Sequence, residues 1–505
     1  MSKKAIVIGA GISGLATANI LAKAGYQVEV FEKNKTIGGR AGQLKKDGFV
    51  FDTGPSWYLM PEVFAHYFDL FDISADKELG IQRLSPSYKV FFEKNDPITI
   101  TSNLKKDSKT FESIEKGAGN KLNTYVANSK LIYDLSIKHF LYTNFKSLSD
   151  LVKKEILSNS TKLLPLALTS VDSYVSKSFK DHRIKKILEY SMVFLGSSPY
   201  QTPAIYTLMS ALDFSHGVYY PKKGIYSVME LVHKIGQDLG VKYKFNSSVE
   251  KIIVKDSKAT GVKLSSGKIF NADLIVSSSD IHHTETKLLP AKYQTYPASY
   301  WKNKNPGPSA FLMYLGVKGK LPEIEHHTLL FVDKWKENFD SIYKQKQIPE
   351  DASIYLSKTS STDKKVSPSN HEALVVLVPW PSGIKVSNKT LEKYYDIYLD
   401  RIQKMTGIKD LKKRVVSKTL VGPDDFKANY NSWQSNALGP AHTLSQSAIF
   451  RTKNKSKKVK NLFYSGGSTI PGIGLPMCLI SAQLIYKHLS GDKKSGPVKK
   501  IDRIV

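Results

Sequence analysis

Ala5-Ile6-Val7-Ile8-Gly9-Ala10-Gly11-Ile12-Ser13-Gly14 decides the fold. Four apolar residues in a row suit a parallel strand buried on both faces, and a turn almost without side chains follows at once. Glycines at 9, 11 and 14, with Ser13 between them, let the backbone approach a pyrophosphate. The helix expected over Leu15–Ala24 aims its free N–H groups at that negative charge. Gly25 stops this helix, and Gln27–Phe31 alternates as a second strand. Glu32 ends it eighteen residues past Gly14, where an acid accepts hydrogen bonds from an adenosine ribose. The glycine turn alone is a weak signal. Strand, turn, helix, strand and acid together define a dinucleotide-binding βαβ unit.

Just beyond Glu32 stand Ile37-Gly38-Gly39-Arg40-Ala41-Gly42 and Phe49-Val50-Phe51-Asp52-Thr53-Gly54-Pro55-Ser56-Trp57. A second glycine doublet with an arginine so placed resembles the extended signature of FAD-containing amine oxidases and carotenoid desaturases. Arg40 can neutralise cofactor phosphate, and Gly54-Pro55, with Ser56, offers a rigid, side-chain-poor backbone to a flavin ring. The resemblance implies a Rossmann-like, glutathione-reductase-like α/β domain for FAD with an interleaved mixed-sheet and helical substrate domain. It also implies a backbone contact near Val249 to adenine. Strands are expected over Val241–Phe245, Val249–Val254, Ala272–Ser277 and from Asn461 to Gly466-Gly467. A helix introduced by Pro471-Gly472-Ile473-Gly474-Leu475-Pro476 runs to about His488, and its start can face the flavin with a stabilising dipole. Gly39, Gly466, Gly467, Gly474, Pro476 and Met477 complete the expected cofactor path, while Met477 and Cys478 are read as packing groups rather than redox groups.

Several further stretches are similar to bacterial and fungal-type phytoene desaturases over nearly the whole chain. They include Asp52–Tyr58 with Met60-Pro61, Arg83–Tyr88, Ile324–Leu329, Asp425–Asn431, Phe450-Arg451, and the Pro471–Pro476 tail. Lys223-Gly224 and Gly466-Gly467 depart from the usual pattern. The resemblance implies stepwise dehydrogenation of phytoene toward lycopene, with oxygen or a quinone as the electron acceptor. A carotenoid isomerase using reduced FAD, or a desaturase of a later carotenoid, shares the same cofactor motifs. The expected division gives residues 1–85, 215–285 and 415–505 to the FAD domain, and 86–214 and 286–414 to the substrate domain.

At 505 residues the chain is long enough for two domains and a large buried cofactor. Its net charge of +29 suits anionic lipid, nucleic acid or an acidic ligand, but 67 lysines against seven arginines argue against base reading. A nucleic-acid partner is therefore not expected. One cysteine, Cys478, excludes an intramolecular disulfide and a cysteine metal cluster, and a reducing, cytoplasmic location is the expectation. Lys3-Lys4 before the apolar run Ala5–Ala22 imitates a targeting segment, yet the glycines at fingerprint spacing mark retained structure. No run of about 20 uncharged apolar residues is free of glycine and proline breaks, so membrane contact is expected to be peripheral.

Phytoene has no group that acidifies a C–H bond. Hydride loss to flavin is therefore the expected first step, followed by proton loss from the neighbouring carbon of an allylic cation. His282-His283, His326-His327 and Asp52 are candidate proton acceptors without a signal that selects one, and no metal site is expected. Between Phe111 and Leu195 amphipathic helices are expected, among them Leu131–Phe145 and Leu148–Leu157, with Lys138, Lys146, Lys153, Lys154 and Lys162 among apolar residues. Such a region suits a roof over a tunnel for a long isoprenoid, set against a membrane surface.

Overall fold

The structure is a computed structural model that describes residues 2–145 and 153–505. Five parallel strands form its first sheet, in the order Leu462–Tyr464, Leu274–Ser277, Lys4–Ile8, Gln27–Phe31, Lys242–Lys244. The alternation of the pleat divides the apolar run of the first strand between two faces. Ala5 and Val7 face a helical layer, while Ile6 and Ile8 face the antiparallel sheet Val249–Lys255, Lys258–Leu264, Ile269–Asn271. Helix Ile12–Lys23 lies at the centre of the helical layer, against Leu475–Ser490 and Tyr226–Asp238. It starts three residues earlier than expected, because Gly11 is already extended and Ile12 carries the first turn.

The second sheet has seven strands, ordered Val415–Val421, Ser309–Lys318, His371–Trp380, Ile354–Lys358, His327–Phe331, Tyr88–Phe92, Ile98–Ile100. All neighbours are antiparallel except His327–Phe331 with Tyr88–Phe92. Val415–Val421 was expected within the FAD segment 415–505. It pairs instead along Ser309–Lys318, since Leu420 and Val421 find apolar neighbours there. One face of this sheet buries Phe311, Met313 and Leu315 against helix Asn388–Thr406. Toward the other lie Phe49 and Phe51, with Phe49 so near the strand that a Cβ on Gly316 would stand 2.3 Å from its ring.

Helices Leu104–Ile114, Ala118–Leu135, Val171–Ser178 and His182–Glu189 pack over the Tyr88 end of the second sheet. The helix expected over Leu131–Phe145 does not form as one piece. Ala118–Leu135 runs into a wider π-helical turn, Ser136–Leu141, and Phe145 lies beyond it. Lys146 and the start of the helix expected over Leu148–Leu157 lie outside the described residues, and its end is the short helix Lys154–Ser158. Among the described residues no helix is long and apolar enough to cross a membrane.

Candidate active site

The first strand delivers Gly9 and Gly11 to the C-terminal edge of the parallel sheet, where ligands of such sheets bind. A Cβ on Gly11 would have no neighbour closer than 4.0 Å, which is room for a phosphate. A Cβ on Gly14 would stand 2.0 Å from the Gly9 carbonyl oxygen. Gly14 therefore lets the helix close onto the strand and is not on the cavity wall. Gly9, Gly11, Ser13, Glu32, Gly39, Arg40, Gly54, Pro55, Ser56, Val249, Gly466, Gly467, Gly474, Pro476 and Met477 all line a single cavity of about 540 Å³. They arrive from seven separate stretches of sequence.

The cradle is held ready by hydrogen bonds. Buried Glu32 accepts from the Ala10 N–H at 2.7 Å and the Asn34 N–H at 2.8 Å, one on each oxygen, and its remaining lone pairs are available to ribose hydroxyls. The Arg40 guanidinium donates to Ser432 Oγ at 2.8 Å and lies over the Tyr430 ring, while its buried Nε has no partner. Burial lowers its pKa, and nearby Asp280 works in the opposite direction. A buried, unpaired N–H of a cation beside bare glycine backbone fits an anionic group such as a pyrophosphate. The residues present thus fit FAD. On the opposite wall Ser13 Oγ is hydrogen-bonded to Ser465 Oγ, and the Gly466 N–H donates to Ser481 Oγ at 3.1 Å.

Arg451 shapes the loop between Gly466 and Gly474. Its buried guanidinium donates to the carbonyls of Gly467, Thr469, Pro440 and Gln446, and burial lowers its pKa to about 10. Gly474, at φ +120°, then turns the chain into helix Leu475–Ser490, with Pro476 in the first turn. Met477 packs with Ile470 and Ile480 as well as lining the cavity. Burial pushes the Cys478 thiol up to about 12, which leaves it protonated and without nucleophilic character at neutral pH.

From Gly54-Pro55-Ser56 the cavity continues into a zone of aromatic and aliphatic side chains, including Trp57, Tyr190, Phe194, Leu212, Leu329 and Phe339. Gly54 sits so tightly on the preceding glycine turn that a Cβ there would stand 1.8 Å from the Arg40 carbonyl oxygen. Trp57 stacks on His327, with ring centroids 4.4 Å apart and planes at 11°. His327 Nδ1 is 2.7 Å from the Tyr355 hydroxyl, which is 2.6 Å from Ser56 Oγ. These side chains brace the wall; His327 was expected as a candidate proton acceptor and Ser56 as a cofactor contact, while Tyr355 carried no signal in the sequence.

The histidine and Asp52 candidates separate once their surroundings are known. His326 and His327 are buried in the second sheet and their pKa values fall with burial, that of His326 to about 3, so both are neutral braces. The N–H groups of His282 and His283 donate to Asp280 Oδ1, and only His283 touches the cavity. Asp52 accepts the N–H groups of Ile225 and Tyr226 at 2.8 and 3.1 Å, and so holds the start of helix Tyr226–Asp238 outside the cavity. Among the described residues no cluster of metal-ligating side chains occurs.

A dinucleotide cradle that opens into an apolar cavity defines a flavoprotein oxidoreductase, and the chain belongs to the flavin containing amine oxidoreductase family, whose model matches residues 12–484. It is 39% identical over 486 residues to a carotenoid 3,4-desaturase of Haloarcula japonica, covering 96% of this chain and 98% of that protein. A zeta-carotene-forming phytoene desaturase of Myxococcus xanthus is 31% identical, with 96% and 94% covered. In fold the chain is similar to an oxidoreductase of Methanosarcina mazei, with a TM-score of 0.64, 18% identity and 95% and 99% of the two chains covered. The protein is a carotenoid desaturase family member, an FAD-dependent oxidoreductase acting on carbon–carbon bonds.

Proposed function

We propose that the protein desaturates phytoene stepwise toward lycopene. The observation that carries this reading is the continuity of the cavity, in which the glycine cradle and the apolar zone line one space joined at Gly54–Trp57. Bound FAD supplies the hydride acceptor. Gly9, Gly11, Glu32, Arg40 and Val249 are proposed to hold its adenosine and phosphates, and Gly54–Ser56, Gly466-Gly467 and Gly474–Met477 its flavin end. The rest of the cavity orients a polyene along Trp57, Tyr190, Phe194 and Phe339 and keeps water from a developing allylic cation.

A second reading is a desaturase acting on a later carotenoid, favoured by the 39% identity to the Haloarcula japonica 3,4-desaturase against 31% to the Myxococcus xanthus phytoene desaturase. Purified protein with FAD, an electron acceptor, and liposomes loaded with phytoene or with lycopene tests both. New conjugated absorption bands from phytoene support the first reading, and bands gained only from lycopene support the second. Isomer shifts with reduced FAD and no gain of conjugation would replace both with an isomerase.

We further infer a peripheral membrane position. Leu157, Leu164 and Leu168 are 55, 62 and 71% exposed on the helices Lys154–Ser158 and Ser160–Leu168, beside Lys153, Lys154 and Lys162. Apolar side chains ringed by lysines match an anionic lipid surface. The paired change Leu164→Ser and Leu168→Ser should abolish co-flotation with anionic vesicles and leave FAD content unchanged.

A further inference from the structure

Desaturation requires a group to take the proton that follows the hydride; His282, His326, His327 and Asp52 do not line the cavity, and His283 meets it beside Asp280 and Lys33, next to Glu32 of the cradle. We propose that Tyr190 and Asp213 fill this role, Tyr190 taking the proton on the cavity wall and passing its own hydroxyl proton to Asp213. The proposal rests on the desaturase reading above. Tyr190 heads the 3₁₀ turn Tyr190–Leu195, which also gives Val193, Phe194 and Leu195 to the wall. Its ring centroid is 6.1 Å from that of Trp57, directly after the Gly54–Ser56 stretch assigned to the flavin.

Asp213 lies behind Tyr190 on the π-helical turn Leu212–His216, and its neighbour Leu212 is on the wall. Asp213 Oδ2 accepts from the Tyr190 hydroxyl at 3.2 Å and the Tyr88 hydroxyl at 2.7 Å, while buried Oδ1 has no partner. Among the described residues no cation forms an ion pair with it. The charged and titratable groups around it are Tyr88, Tyr190, and Asp107 on helix Leu104–Ile114. Arg83 is also close by, with its guanidinium on the carbonyls of Ser102 and Ser215, as is His216, edge-on to Tyr133. Burial, with a smaller contribution from Asp107, lifts Asp213 to about 7, a value suited to accepting a proton near neutral pH.

The step balances without another reactant. The hydride carries two electrons to the flavin and leaves an allylic cation. The C–H pair on the adjacent carbon becomes the new π bond, its proton goes to the Tyr190 oxygen, and the former Tyr190 proton neutralises the Asp213 carboxylate. Two rivals are less suited. Tyr133 also lines the cavity and bonds Glu62, but Glu62 is exposed and would bring water to the cation. The Asp280 carboxylate is already engaged by the N–H groups of His282, His283 and Trp433.

The test uses the FAD-loaded enzyme with phytoene and with lycopene liposomes, following flavin bleaching and product formation anaerobically between pH 5.5 and 9. For the polyene that the unaltered enzyme converts, the rate should rise about tenfold per pH unit below about 7 and level off above it. Asp213→Asn and Tyr190→Phe should each slow product formation about 100-fold and flatten the profile, with FAD content unchanged. Asp213→Glu should restore part of both rate and pH dependence. An unaltered rate or profile in Asp213→Asn overturns the proposal, as does loss of the pH dependence in Glu62→Gln instead. Where Asp213→Asn fails to hold FAD, Tyr190→Phe decides by the same criteria. Conversion of neither polyene by an enzyme that holds FAD would sink the desaturase reading itself, and the relay with it.

Discussion

The cofactor cradle and the apolar cavity share one wall but are built on opposite principles. The cradle is made of backbone. Its functional positions are glycines, where a single Cβ collides with a carbonyl at Gly14 or Gly54, and its charged groups are already oriented. The apolar zone is made of side chains that converge from the second sheet and the overlying helices, and its chemistry depends on shape and dryness. A backbone-built site tolerates almost no substitution, whereas a side-chain-built site can be reshaped while the fold persists.

The sharpest way to break this contrast is Gly14→Val. Its Cβ would press on the Gly9 carbonyl, and we expect destabilisation of about 3 kcal/mol or more together with loss of FAD, read by thermal melting and flavin absorbance. A Gly14→Val protein that melts normally and holds FAD would remove the basis for calling the cradle rigid. Next in size, Glu32→Gln keeps the shape and removes the charge. FAD affinity should fall about 10- to 100-fold in a fluorescence titration, with a loss of stability of about 1–3 kcal/mol, since the amide nitrogen would face the N–H of Ala10 or Asn34.

Val193→Trp probes the other side of the comparison. Val193 is partly exposed and lies on the cavity wall, so an indole should narrow the tunnel. Polyene conversion should drop about tenfold while FAD affinity stays within twofold, and equal losses of both would show that the two zones are not separable. A last prediction concerns Asp52, which burial lifts to about 6. Its contribution to stability is complete below the unfolded value near 4 and is lost as pH rises through about 6. Asp52→Asn should therefore flatten the fall in stability between pH 4 and 7 by about 1–3 kcal/mol, measured by denaturant unfolding across that range.

Legibility followed the same division. The βαβ unit could be read because a phosphate cradle needs glycine at fixed spacing: Gly9 for its positive φ, Gly11 for the open space it leaves, and Gly14 for close packing on Gly9. Glu32 and the glycine-proline stretches followed for the same reason. Gly14 was legible as part of the motif, though its work is packing rather than lining. Val415–Val421 has seven residues of mixed polarity that fit either sheet, and only pairing with Ser309–Lys318 decides between them. The Leu131–Phe145 segment read as one helix because its apolar spacing continues through the π-helical turn.

The sequence alone determined the cofactor class, the parallel sheet and the glycine positions of the cradle, because these depend on residues near one another in the chain. Tertiary structure decided which polar groups meet at the cavity wall and behind it. Tyr190 and Asp213 are 23 residues apart, and Ser56 and Tyr355 are separated by 299, with no local pattern to join them. It likewise turned Asp52 into a helix anchor and His327 into a neutral stacking partner. Burial and partners set the protonation state of a side chain, and both are properties of the packed molecule.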